Sequence, residues 1–219
     1  GKYGAGYKIG VLMALFIQMF RFAAEPFFFE RAKHADAKET YSVVMKYFIL
    51  AMLVVYLVIN LYISGIQYII AFSYREAIIV VPVISMAYLF YGIYINHSIW
   101  YKLNDMTFFA VYITFAGALV TILVNVIFIP YYGYMASAWA HIASYGTMII
   151  LSFIFAEKRY KVNYNMKQYI PYFLMATGMV IFGRYFRYPG LASELLINTI
   201  FLLLFVGYAQ YRDKLITVF

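Results

Sequence analysis

The sequence predicts an all-α, polytopic transmembrane helical bundle of seven helices. Two observations carry that prediction: a composition no water-soluble core could absorb, and apolar runs of membrane-crossing length. Of the 219 residues, 66% are hydrophobic and 12% charged, against roughly 45–50% and 25% in soluble domains. A helix needs about 20 apolar residues to cross a hydrocarbon layer roughly 30 Å thick. Seven runs near that length occur, at 7–29, 43–63, 78–95, 108–128, 135–155, 169–185 and 191–208. A transmembrane β-barrel would instead show segments of about ten residues alternating between apolar and polar. Stretches such as LLINTIFLLLFVGY and YFILAMLVVYLVINLYI are continuous.

The charges set an orientation. With the seven spans alternating, one side collects Arg31, Lys33, Lys38, Lys46, Lys102, Lys158, Arg159, Lys161, Lys167, Arg212 and Lys214, eleven in all. The other side has five, Lys2, Lys8, Arg75, Arg184 and Arg187. Short cytoplasmic loops carry the excess of Lys and Arg, so the C-terminus and the loops around Ala35, Lys102 and Lys161 are expected inside and Gly1 outside. Read this way, the net charge of +8 needs no nucleic-acid partner. The EKRYK run at 157–161 is read as topology plus attraction to anionic lipid.

The connections are too short to form a soluble domain, so any chemistry belongs in or at the membrane. The chain begins with Gly1, and GKYGAGYKIG lacks the features of a signal peptide. An internal start within a longer protein is therefore expected. With no cysteine, disulfides and thiol chemistry are excluded.

Proline and glycine mark the expected ends. Pro130 with Gly133 is expected to stop the fourth helix in a tight turn, and Pro189 with Gly190 to do the same between the last two. Pro82 and Pro171 fall in first helical turns, where a missing N–H costs little. Pro26, late in the first span, frees the carbonyl of Phe22 and is expected to kink or end that helix. Tyr68, Tyr74, Tyr131, Tyr132, Tyr160 and Tyr164 are expected in interfacial aromatic belts.

Ionisable groups inside hydrocarbon are costly and usually face a bundle interior or a wet cavity. Gln18, Arg21 and Glu25 are spaced i, i+3, i+7, within about 60° on one helix face. Arg21 and Glu25 are placed to pair. A pair used only for packing would have to overcome desolvation of both ions, so a solvated substrate cavity is the preferred reading. In the fifth span, GYMASAWAHIASYG, His141 sits between Ser137 and Ser144 beside a stripe of small residues that allows close helix approach. His141 and Asn125 are candidate cavity residues, with packing the favoured role for each. Arg75, Glu76, Asn96, His97, Asn104 and Asp105 fall at span ends, where interfacial solvation explains them. No GxSxG, HExxH, phosphate-binding glycine loop or paired-carboxylate motif is present. Catalytic residues, a metal site and an enzymatic role are accordingly not expected.

YGAGYKIG at 3–10, RFAAEPFFF at 21–29 and above all NVIFIPYYGYMASAWAHIASY at 125–145 resemble the polysaccharide-exporter branch of the multidrug/oligosaccharidyl-lipid/polysaccharide flippase superfamily, which includes lipid-linked O-antigen repeat-unit flippases. The resemblance implies helices 8–14 of a 14-helix protein of the bacterial inner membrane. Residues 1–160 would form a five-helix C-terminal bundle, and residues 161–219 an accessory helix pair with a cytoplasmic C-terminus. It further implies alternating access around a cationic cavity for an undecaprenyl-diphosphate-linked oligosaccharide. Arg21 would then bind the diphosphate, and Glu25 would orient Arg21 or contact sugar hydroxyls. The partners implied are that substrate, membrane lipid and the missing N-terminal half. No cofactor is implied beyond ion or proton coupling.

A cation-coupled multidrug exporter of the same fold is the main alternative, and it would centre its site on a carboxylate. A membrane polysaccharide polymerase or ligase is a more distant one. The orientation is open to test because the chain lacks cysteine. Single cysteines at Asp36 and Lys161 should be shielded from an impermeant thiol reagent in intact cells, and one at Gly190 should react; the opposite labelling would refute the orientation.

Overall fold

Inside hydrocarbon every backbone N–H and C=O has to be satisfied within its own segment or a closed barrel, and this chain does so with helices. The computed structural model describes residues 2–66, 68, 72–186, 188 and 190–213. The elements are α1 (Lys2–Gly10), α2 (Leu12–Arg31), α3 (Ala37–Leu61), α4 (Ile63–Ile66), a 3₁₀ segment (Phe72–Val80), α5 (Val81–His97), α6 (Ile99–Leu103), α7 (Phe108–Tyr132), α8 (Tyr134–Glu157), a 3₁₀ turn (Met166–Tyr169), α9 (Ile170–Tyr185) and α10 (Leu191–Asp213). No strand occurs among the described residues, so the fold is an all-α helical bundle.

Among the described residues six segments, rather than seven, are long and apolar enough to cross a membrane. The exception is α9. Its 16 residues span about 24 Å at 1.5 Å per residue, short of a roughly 30 Å hydrocarbon layer. The run at 169–185 gives up only Tyr169 to the 3₁₀ turn and is short because the apolar run is itself short.

The inner helices are α3 and α5. Half of the most apolar window of α3 is buried, and 61% of that of the α5–α6 span. Helix α5 touches α1, α2, α3 and α8, while α3 touches α2, α5, α9 and α10. Helices α7 and α10 lie at the edges, with only 11% of their windows buried. The pair α9–α10 packs on itself and on α3.

Three local expectations are corrected. Pro26 does not end its helix: α2 runs through it to Arg31, because the bond lost is one among many in a 20-residue helix. The turn between α7 and α8 is made by Gly133 alone, at φ 58°, while α7 continues two residues past Pro130. The third span does not stop at Ile95. Helix α5 runs to His97, and α6 resumes after the single residue Ser98, whose hydroxyl caps the carbonyl of Ile95 at 2.6 Å. Asn96 and His97 are consequently 2% exposed each, not at an interface. Pro82 and Pro171 do sit in the first turns of α5 and α9, whereas Pro189, Arg187 and Lys214 lie outside the described residues.

Polar side chains pin the helices together. Ser144 of α8 donates to the carbonyl of Gly117 in α7 at 2.8 Å. Asn60 of α3 donates to Ser85 Oγ of α5 at 3.0 Å, and Asn198 of α10 to the carbonyl of Leu61 in α3 at 2.6 Å. Ser152 of α8 hydrogen-bonds His97 Nδ1 at 2.7 Å and accepts from Trp100 Nε1 at 3.0 Å. After α8, Tyr164 folds back onto the rings of His97 and Phe153, and burial pushes its phenol above the usual tyrosine range.

The α7–α8 contact depends on a missing side chain. A Cβ on Gly117 would lie 2.7 Å from Met148 Sδ and 3.0 Å from Ser144 Oγ, whereas one on Gly146 would meet nothing within 4 Å. Gly117→Val is expected to destabilise the purified protein by about 1–3 kcal/mol, read as a lower melting temperature in detergent, with Gly146→Val close to wild type. Equal effects of the two would show that α7 is not held by this close approach.

Candidate functional site

Helix α2 has a polar face because Gln18, Arg21 and Glu25 recur at helical spacing, and all three are half-buried. Arg21 and Glu25 do not pair. The Glu25 carboxylate is instead taken by the ammonium of Lys102, which α6 presents where it continues the α5 axis. Their side chains remain 37% and 25% exposed, and a pair that wet contributes on the order of 0–1 kcal/mol. Arg21 has no carboxylate at ion-pair distance among the described residues. Its guanidinium carbon lies 5.7 Å from the centre of the neighbouring Phe22 ring. Gln18 makes no hydrogen bond among the described residues.

Arg21, Glu25, Asn96 and Lys102 line a small hollow between α2, α5 and α6, with Phe28 and Ile99 beside them. Its volume of about 10 Å³ admits a single water-sized group. The Asn96 amide is buried there with neither Oδ1 nor Nδ2 hydrogen-bonded. Each unmatched buried polar group costs about 1–3 kcal/mol, and less than 1 Å² of either amide atom is accessible, so a water-sized group in the hollow does not touch it. The charges around it are two cations against one carboxylate, an arrangement that suits an anionic oxygen.

The remaining candidates gather elsewhere. Asn125 of α7 accepts from Ser137 Oγ of α8 at 3.0 Å, and His141 Nδ1 donates to the carbonyl of Ser137 at 2.7 Å. With Nδ1 committed as donor, the neutral ring offers Nε2 as an acceptor. The His141 ring lies 5.8 Å from that of Tyr7 and 6.0 Å from that of Tyr145, and the hydroxyls of Tyr7 and Tyr88 share a hydrogen bond of 2.6 Å. This polar and aromatic group ties α1, α5, α7 and α8 together. No hydrogen bond or ion pair of Gln18, Arg21 or Glu25 reaches it. Helix packing accounts for the contacts of Asn125 and His141 found here.

Sequence reasoning passed over Asn96 and Lys102. The signal was present: after Asn96 the chain continues HSIWYK with no Gly or Pro, so a helix read through to Leu103 would have placed Asn96 inside a span. What no spacing rule supplies is the meeting of α6 with α2, 77 residues apart at Lys102 and Glu25.

Among the described residues no group of three or more His, Asp or Glu side chains could hold a metal ion. For the pair itself, Lys102→Met and Glu25→Gln should each lower the melting temperature by about 2–4 °C, the equivalent of roughly 1 kcal/mol. The double variant should lose less than the sum; strict additivity would mean the two side chains are not coupled. No protein-family model, curated protein or solved structure matches the chain.

Proposed function

We propose that this chain is the C-terminal half of a bacterial inner-membrane flippase that moves undecaprenyl-diphosphate-linked oligosaccharide units across the bilayer by alternating access. The observation that carries the reading is the cationic excess where the polar face of α2 meets Lys102 of α6, two cations against one carboxylate. Among the described residues Arg21 stands without a carboxylate partner, in a bundle with six segments of membrane-spanning character. A guanidinium stays charged and binds phosphate bidentately, so Arg21 is suited to hold a diphosphate while the lipid tail stays in hydrocarbon. No resident cofactor enters this reading, and the driving ion or proton is a matter for the whole transporter.

The reading is supported over a cation-coupled multidrug exporter by the state of Glu25. An exporter of cationic drugs would use a free carboxylate, and this one is neutralised by Lys102.

The full-length parent gene, expressed in a bacterium lacking its own O-antigen flippase, should restore surface polysaccharide. Arg21→Ala should abolish that restoration and Arg21→Lys retain part of it, with membrane levels unchanged. Absence of restoration at normal membrane levels, together with efflux of cationic dyes, would replace the flippase reading with the exporter. Loss of protein along with loss of export would assign Arg21 to folding.

A further inference from the structure

Tyrosines of membrane helices gather at the two interfaces, where the hydroxyl meets water. Two tyrosines of this chain sit elsewhere. Tyr91 lies midway along the span Ile78–Leu103 and Tyr145 midway along Tyr134–Glu157, and their ring centres are 5.0 Å apart. Tyr88 stands 6.3 Å from Tyr91 and 6.2 Å from Tyr145. Tyr7 of α1 extends the set from Tyr88 at 6.2 Å, and His141 of α8 from Tyr145 at 6.0 Å. Tyr88 is buried, whereas the other four rings are half-buried.

Two polar groups of this set are unspent. Tyr91 makes no hydrogen bond among the described residues. His141, whose Nδ1 is bonded to the Ser137 carbonyl, makes none there through Nε2. Hydrocarbon offers such groups no partner, so the set has to face a polar compartment or a ligand rather than lipid.

We propose that these rings are a glycan platform: one face of a neutral sugar stacks on Tyr91 and Tyr145, and sugar hydroxyls bond Tyr91 Oη and His141 Nε2. The proposal rests on the reading of a lipid-linked oligosaccharide and adds where its sugars sit. The five side chains include no carboxylate, ammonium or guanidinium, so they match neither an ion nor a diphosphate. A purely apolar ligand would leave the two polar groups unpaired. Water alone would satisfy them but leave the ring faces wet, a cost that stacking removes. A sugar ring answers both demands, because its polarised C–H face meets the electron-rich face of tyrosine and its hydroxyls both donate and accept.

The platform is separate from the cations. Lys102 follows Tyr91 by eleven residues along α5 and α6, about 16 Å at 1.5 Å per residue. A diphosphate held near Lys102 and Arg21 therefore leaves Tyr91 and Tyr145 to sugars beyond the first.

The test uses the full-length parent gene in its own host with the chromosomal copy deleted, reading surface polysaccharide. Beside it, the purified full-length protein in phosphatidylcholine nanodiscs is titrated calorimetrically with farnesyl diphosphate, which carries the diphosphate and no sugar. Tyr91→Leu and Tyr145→Leu should each cut surface polysaccharide about 10-fold. Tyr91→Phe and Tyr145→Phe, which keep the ring, should each exceed their leucine counterpart by about 3-fold. Membrane levels and farnesyl diphosphate affinity should be unchanged in all four. Wild-type polysaccharide from both leucine variants would overturn the platform and leave the flippase reading intact. Leucine and phenylalanine variants that fall alike, or that lose protein or farnesyl diphosphate affinity, would overturn it too and assign the rings to packing. No restoration by the wild-type gene at normal membrane levels would remove the flippase reading, and the glycan platform with it.

Discussion

Helices in hydrocarbon have little hydrophobic reason to associate, since lipid tails are as apolar as leucine, and the bundle therefore depends on close backbone approach and hydrogen bonds between helices. Such a bond sits at α7–α8 (Ser144 to Gly117), α3–α5 (Asn60 to Ser85), α3–α10 (Asn198 to Leu61) and α5–α8 (His97 with Ser152). Apolar packing fills the space around them, with Trp100, Tyr41, Tyr56 and Met13 among the largest fully buried side chains. These bonds choose which faces meet, because an apolar face alone would be equally satisfied by lipid.

The same constraint makes the site conspicuous. Asn60 Nδ2, Ser85, Ser144 and Ser152 are paired across a helix contact or with their own helix, whereas the Tyr169 hydroxyl and Asn60 Oδ1 are buried without a partner. Asn96 is buried to the same degree and bonded to nothing. It lies where α5 passes through Ser98 into α6, the segment that carries Lys102 to Glu25.

The division of labour among helices follows from their positions. Helices α3 and α5 are enclosed and carry the scaffold, whereas α2 presents its polar face from a more peripheral place, with only 22% of its span window buried. A half-exposed arginine there costs less than one in the core of α5 and remains accessible to a ligand. Asn125, by contrast, accepts from Ser137 and so ties α7 to α8, while His141 Nδ1 bonds the Ser137 carbonyl within α8.

By itself the sequence determined the class of the molecule, six of its spans, the first-turn prolines of α5 and α9, and the candidate polar face of α2. All of these follow from composition and from periodicities of about 20 and 3.6 residues, which are properties of single segments. The 16 residues of α9 fall short of a full span, and the helix end allowed at Pro26 is one that a long helix absorbs. The tertiary structure alone decided that Glu25 faces Lys102 rather than Arg21, that Asn96 and His97 are interior, and that Asn125 and His141 stand apart from Arg21. Those facts depend on which faces of distant segments meet, and in hydrocarbon that choice is made by hydrogen bonds between helices, whose partners no local pattern specifies.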